Sequence, residues 1–355
     1  MYNFLLYIAH PYSIPIGRPL QQEIERQGHS VAWFSELEYT KSHLKKEDTI
    51  LDTIEEVLDY NPHIVLTATD TVADFIPGIK VQIFHGFSAN KRPLMSDHFK
   101  IRGFFDLYTT QGPSTTTIFQ QQAKKYGFFE VVETGWSKVD PLFPLEVKPV
   151  SERPVILISS TFTTKLSLAK NDDVFQEIKR LSETGKYQFL CVLHPVLDKE
   201  TKDKFQSLEG KYFNYFDTSD LIPLFKRADI MFSDTTSAII EFLVQEKPVV
   251  TFRNRKPGDH LIDVTSVSEI EDALDLALTR PEKTITAIQD YIKWTHPYSD
   301  GKSSKRVVDA TIAFLNKDKS HLKSKPLNLI RKWQLRKRFN YFTFKSYDKP
   351  ITLNL

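Results

Sequence analysis

Sulfur is scarce in this 355-residue chain, which has one cysteine and three methionines. A lone cysteine excludes an internal disulfide framework and a cysteine-based zinc cluster, and it suits a reducing compartment. Cys191 lies inside the apolar run YQFLCVLHP, so a buried core thiol is expected there. Long hydrophobic runs are also lacking, since none reaches the roughly 18 residues of a membrane span. The opening stretch MYNFLLYIAHP has no basic leader and stops being apolar at His10-Pro11, too soon for a signal peptide. A cytoplasmic protein is expected, at most peripheral on the inner face of the cell membrane. There is no P-loop lysine motif, no GxGxxG fingerprint, no GxSxG elbow and no metal-type histidine pair. No cofactor and no metal are expected. Nor does one sign of charge dominate: 47 Lys and Arg against 45 Asp and Glu leave a net charge of +2. With no nucleic-acid motif beside that balance, a nucleic-acid partner is not expected.

What is present is ordinary for a globular protein, 41% hydrophobic and 26% charged residues, in a chain long for one core. Short apolar runs alternate with longer amphipathic ones. YNFLLYIA, HSVAWFS, HIVLTAT, VQIFHG, FDLYTT and EVVETGW read as strands; GRPLQQEIERQG, DTILDTIEEVLDYN and PSTTTIFQQQAKKYG read as helices between them. Near-continuous apolar strands separated by helices predict a parallel sheet covered on both faces. A charged, proline-bearing stretch, EVKPVSERP, interrupts the pattern at residues 146–154. Beyond it the alternation resumes with VILISST, DDVFQEIKRLSETG, YQFLCVLHP, DLIPLFKRA, DIMFSD, SAIIEFLVQEK and PVVTF. The expected fold class is α/β, with two Rossmann-like domains whose parallel sheets face each other across a cleft. Their expected bounds are 1–148 and 149–316.

Residues 317–355 change character. From Lys319 to Arg338 there are eight Lys or Arg and no acid, interleaved with Leu327, Leu329, Ile330, Trp333 and Leu335. This mixture reads either as a solvated basic helix packed on the domain or as a contact for an anionic membrane surface through residues 317–338. The apolar residues do not fall on one clean helical face.

Three places combine a strand end with chemistry-bearing side chains, and ligands of open parallel sheets bind beyond the carboxyl ends of the strands. His85 follows VQIF and His194 follows FLCVL, one histidine in each expected domain. After DIMF come Ser233, Asp234, Thr235, Thr236 and Ser237, leading into a helix that carries Glu241. One hydroxyl suffices to cap that helix; the others could donate to an anion at its N-terminus, with Asp234 orienting the loop or facing a ribose. Asp300-Gly301, just before a helix opening with Ser303 and Ser304, makes a second candidate anion site.

The segments FHGFSANK, TQGPSTTTIFQ, VVETGWSKVDPLF, LHP, DLIPLFKRADIMFSDTTSAIIEFLVQEKPVVTF and DGKSSKRVVD stand in an order that resembles the CDP-glycerol glycerophosphotransferases. These are the teichoic-acid primases and polymerases, with a glycosyltransferase-B type fold. The resemblance spans about residues 60–312. It implies that His85 is the catalytic base and that His194 stabilises the donor pyrophosphate. It further implies that Asp234-Thr235-Thr236-Ser237 holds the donor phosphates and that Asp300-Gly301 matches the family's late aspartate-glycine pair. The sequence departs from the family in having Thr235 for a usual tyrosine and Glu241 for a frequent aspartate. Only Lys199 stands near the place of an arginine after the HP motif. The implied partners are a CDP-alditol donor and a glycan, polymer or lipid-linked acceptor. Two rivals are a sugar-nucleotide-dependent glycosyltransferase or UDP-sugar 2-epimerase of the same fold, and a non-catalytic membrane-associated scaffold.

Overall fold

A computed structural model of the chain describes residues 1–87, 98–146 and 152–342. Its first half alternates β1 (Asn3–Ile8), α1 (Ile14–Arg26), β2 (Ser30–Ser35), the single turn α2 (Glu38–Lys41), β3 (Ile50–Leu51), α3 (Ile54–Tyr60) and β4 (Ile64–Thr67). It continues through β5 (Ile79–Gln82), β6 (Leu107–Thr110), α4 (Pro113–Tyr126) and β7 (Glu130–Glu133). The seven strands form one sheet in the order β3-β2-β1-β4-β5-β6-β7, and every pair in it is parallel. The expected helix DTILDTIEEVLDYN divides in two. Ile50 and Leu51 extend the sheet edge, while Thr53 and Glu56 close a capping box that starts α3 three residues later.

The second half repeats the plan with β8 (Val155–Ser160), α5 (Asp172–Thr184), β9 (Gln188–Leu193), α6 (Lys199–Gln206), β10 (Phe213–Tyr215), α7 (Ile222–Arg227) and β11 (Ile230–Ser233). There follow α8 (Ala238–Leu243), β12 (Val249–Phe252), β13 (Ile262–Val264), α9 (Ile270–Leu278) and α10 (Glu282–Thr295). The strand order β10-β9-β8-β11-β12-β13 again puts the first strand in the middle and reverses direction beside it, as in the first sheet. Strands β8, β9 and β11 are almost wholly buried, which accounts for their continuous apolar sequence. Cys191 is fully buried in β9, and burial pushes its thiol well above the ordinary range.

Two more helices, α11 (Ser303–Asn316) and α12 (Leu329–Arg338), close the described chain. The chain divides into two compact units: Met1–His85 with Phe99–Asp140 and everything from Asp300 on, and Pro141–Ser299 with Gly86–His98. The expected boundary at 148–149 lies outside the described residues; the unit changes after Asp140, and α11 and α12 belong to the first unit rather than ending the second or forming a separate tail. The reasons are local. Asp140 accepts from the backbone N–H groups of Ser303 (2.9 Å) and Ser304 (2.6 Å). Gln27 donates to Asp309 at 3.0 Å, and Arg306 Nε donates to the Thr134 carbonyl at 3.0 Å. Further on, Leu335 is buried in the first unit's core with Phe34, Phe75 and Tyr7, and Phe339 packs against the same cluster.

Candidate active site

In unit 2 the direction of the sheet reverses between β8 and β11, so the crevice beyond these two carboxyl ends is where a ligand of this fold sits. The run Ser233–Ser237 lies at that point. Ser233 is fully buried and its hydroxyl donates to the Ser159 carbonyl at 2.6 Å. Its single proton is thereby used, so Ser233 is not a phosphate donor; it locks β11 to β8. Asp234 is fully buried as well. Its carboxylate accepts from Ser160 Oγ (2.6 Å), from the N–H of Thr161 (3.0 and 3.1 Å) and from the N–H of Leu168 (2.9 Å). These donors belong to the end of β8 and the loop after it, so Asp234 orients the site and does not face a ribose. Thr235 is buried too, and its hydroxyl accepts from the N–H of Arg255 at 3.0 Å.

Only then does the loop turn outward. Thr236 and Ser237 are half-buried, and Ser237, at the start of α8, makes no capping bond with its hydroxyl. Within the same unit a Cβ built on Gly86 would stand 3.4 Å from Ser237 Oγ, so any side chain there would crowd that hydroxyl. Glu241 is buried inside α8. Asn254 Nδ2 donates to the Asp234 carbonyl at 2.8 Å, which seats the loop after β12 against the hydroxyl run and brings the exposed, basic Arg255 beside it.

His194 leaves the end of β9, next to β8, in a half-buried position. The backbone N–H of Val196 donates to its Nδ1 at 3.2 Å. The neutral ring therefore carries its proton on Nε2 and presents a donor there. The ring of Phe162, which is partly exposed, packs on the imidazole with centroids 4.6 Å apart.

In unit 1, His85 sits beyond the carboxyl end of β5 and is exposed. It is turned outward by Phe84, whose φ of 59° is in the left-handed region that a bulky residue adopts at a cost of about 1–3 kcal/mol. Gln82 holds the turn: its Nε2 donates to the Thr69 carbonyl (2.9 Å) and its Oε1 accepts from the Phe84 N–H (3.1 Å). Tyr12 lies beside His85, with ring centroids 6.5 Å apart, and stacks on His10 at 5.4 Å. Burial, and secondarily the nearby Asp70, raises the Tyr12 phenol, which therefore stays a donor at neutral pH.

The expected anion site at Asp300-Gly301 is filled from within. The carboxylate of Asp140 already occupies the N-terminus of α11, the position an external anion would take. Asp300 forms a fork with Arg306 at 2.9–3.1 Å, and Gly301 supplies a φ of 64° in the connecting turn. Both residues belong to unit 1 with Asp140. Asp140, Tyr12, His10, Gln82 and Arg255 are the residues of these arrangements that sequence reasoning passed over. The HP dipeptide after β1 is the one signal that could have singled out His10.

A model of the family described as CDP-glycerol:poly(glycerophosphate) glycerophosphotransferase matches residues 104–313, more than half of the 355-residue chain. The chain belongs to this family. It is a CDP-glycerol glycerophosphotransferase-like enzyme. The matched span includes His194, the hydroxyl run and Asp300-Gly301; His85 lies outside it. Among solved structures, MnaA from S. aureus with UDP is similar at 14% identity and a TM-score of 0.63, covering 92% of this chain and 99% of that one. A variant of the wall teichoic acid polymerase TagF is similar at 13% identity and a TM-score of 0.62, covering 88% and 89%. UDP-GlcNAc 2-epimerase from Neisseria meningitidis bound to UDP-GlcNAc is similar at 13% and 0.58, covering 87% and 99%. Such identities speak to the fold alone, a two-sheet α/β fold of glycosyltransferase-B type. No curated protein matches the sequence.

Proposed function

We propose that this glycerophosphotransferase transfers glycerol phosphate from CDP-glycerol to a hydroxyl of a glycan, polymer or lipid-linked acceptor in the synthesis of a teichoic-acid-like or capsular surface polymer. The acceptor oxygen attacks the β-phosphorus of the donor, the bond from that phosphorus to the bridging oxygen breaks, and CMP leaves with the electron pair. His85 takes the acceptor proton. General-base help of this kind is worth about 10²–10⁴-fold. Unit 2 binds the donor: Thr236, Ser237 and the Nε2–H of His194 meet phosphate oxygens, and the His194 donor answers the charge that grows on the leaving CMP. Unit 1 receives the acceptor beside Tyr12 and His85.

The observation that carries this reading is the family match across the outward-turning hydroxyls at the reversal point of the second sheet. The disposition of Asp234 speaks against a 2-epimerase. Such an enzyme needs carboxylates to move protons at a sugar carbon, and Asp234 is fully buried with its oxygens committed to Ser160, Thr161 and Leu168.

The test is release of CMP from CDP-glycerol, with and without a membrane extract as acceptor source, for the wild type and His85→Ala. Acceptor-dependent release by the wild type, reduced at least about 10²-fold in the variant while CDP binding is unchanged, is the expected result. Release of UMP or UDP from sugar nucleotides instead would move the protein to another donor. Silence with every nucleotide, in binding as in turnover, would favour a scaffold.

A further inference from the structure

The segment from Lys319 to Arg338 looks disordered in its apolar pattern as a sequence, and α12 explains why: it carries two apolar faces. Asn328, Lys332, Leu335, Arg336 and Phe339 recur at helical spacing and form the inward stripe. Leu335 enters the first unit's core, and the Arg336 guanidinium lies 5.1 Å from the Phe75 ring centroid. Lys332 and Arg336 reach Asp74 at 3.8 and 3.4 Å, and Arg338 pairs with Glu36. Just upstream, Lys325 pairs with Asp106 at 2.7 Å, and Asn328 Nδ2 donates to the Arg102 carbonyl at 2.8 Å. Gly103 (φ 78°) makes room for Pro326, whose Cγ would stand 2.5 Å from a Cβ there. The helix is thus strapped down along its whole length.

The outward side is different. Leu327, Leu329, Ile330 and Trp333 are exposed by 73, 69, 75 and 56%, a concentration of bare large apolar side chains within seven residues. Leu329, Ile330 and Trp333 are i, i+1 and i+4, so they share one face. Core packing does not account for them, since Leu335 already supplies it from the opposite side. Around them, Lys323, Arg331 and Lys337 face no carboxylate at ion-pair distance among the described residues, and Lys337 sits over the Trp333 ring at 5.5 Å. The helix macrodipole explains cations in the last turn at 336–338, and Lys319 caps the end of α11 by donating to the Leu315 and Lys317 carbonyls; neither explains Lys323 or Arg331, which lie before α12 or in its first turn.

From this segregation we infer that the outer face of α12 docks on an anionic lipid surface, with Leu327, Leu329, Ile330 and Trp333 entering the interface and Lys323, Arg331 and Lys337 meeting lipid phosphates. Charge selects the occupant: apolar side chains ringed by unpaired cations match a surface that is apolar just beneath a layer of negative headgroups. Because the inner stripe is fastened to unit 1, docking needs no release of the helix from the protein. The inference stands apart from the transfer reaction and does not use the donor site.

The full chain is tested by co-sedimentation with vesicles of phosphatidylglycerol and phosphatidylcholine against pure phosphatidylcholine, without donor or acceptor. The wild type should bind the anionic vesicles, with Trp333 fluorescence shifting to the blue in a Trp294→Phe background, and should be weakened as salt rises from about 0.05 M to about 0.5 M. The variant Leu329→Ser, Ile330→Ser, Trp333→Ser should bind at least about ten-fold more weakly with an unchanged melting temperature. Lys323→Glu, Arg331→Glu, Lys337→Glu should lose the preference for anionic lipid. Equal binding by wild type and the serine variant would overturn the inference, as would no binding by the wild type. Wild-type dimers that the serine variant abolishes, with neither protein binding vesicles, would make the face a contact between copies and overturn it too.

Discussion

Within five consecutive positions, Ser233 to Ser237, the side chains pass from structural bonds to presented groups. Asp234 satisfies three donors at the end of β8 and in the loop after it, and removing this buried, fully bonded carboxylate strips the N–H groups of Thr161 and Leu168 of the acceptor that holds them. Asp234→Ala should cost about 3–5 kcal/mol in chemical denaturation, whereas Thr236→Val should leave stability unchanged within about 0.5 kcal/mol and weaken CDP binding, as read by titration calorimetry. Arg255→Ala should also weaken CDP binding, with a reduced salt dependence, and Arg255→Lys should restore most of it, because Arg255, exposed and tied to Thr235 through its backbone N–H, brings a positive charge that hydroxyls cannot. The hydroxyl-rich run was readable from sequence as an anion-binding candidate. Which hydroxyls serve it was not. The partners that withdraw Ser233 and Asp234 lie 66–74 residues upstream, and the N–H that Thr235 accepts from lies 20 downstream. Only the adjacency of β8, β11 and β12 brings them together.

Helix α11 shows the same limit among elements. Its amphipathic pattern and its Asp300-Gly301 start were legible, and the vacant look of its N-terminus was misleading because Asp140 fills it from 163 residues away. Burial pushes that carboxyl above the ordinary aspartate range, against the pull of the two N–H groups it accepts from. Asp140→Ala should cost about 1–2 kcal/mol, measured by denaturation, with the loss seen in unit 1. Strand β5 carries a second buried charge. Lys80 donates to the carbonyls of Ile76 and Gly78, both at 2.5 Å, and burial, with repulsion from Lys325, pushes its ammonium down to about 7. In the unfolded chain the same group stays charged up to about 10.4, so this lysine favours folding more as pH rises from about 7 toward 10 and opposes it equally at all lower pH. Stability followed from pH 7 to 9.5 should therefore slope upward more steeply in the wild type than in Lys80→Met. Parallel strands with flanking helices were plain in the sequence because both faces are buried. The short edge strands β3, β10 and β13, of two or three residues, carry too little pattern to be seen.

At the level of the whole molecule, the doubled architecture was legible and the route of the chain was not. An interruption at residues 146–154 and a basic terminal segment at 317–355 read as a domain boundary and a tail. Yet the contacts that return α11 and α12 to the first unit come from Asp140, Gln27, Thr134, Asp74 and Glu36, spread along the first 140 residues. Deleting residues 317–355 should accordingly lower the melting temperature by several degrees, since it uncovers the seat of Leu335 beside Phe75, and point variants are the better probe of that region.

This routing also orders events during synthesis. The whole of Pro141–Ser299 leaves the ribosome before α11 and α12 exist, and at roughly 5–20 residues per second the stretch from residue 140 to 338 takes about 10–40 s to make. During that interval the first-made unit waits with its core open where Leu335 belongs, while the later-made unit has all its strands and can close. The enzyme is thus born inside out in time: the half translated first is the half completed last, and newly made chains arrested before residue 300 should expose the first unit, not the second, to proteases and chaperones.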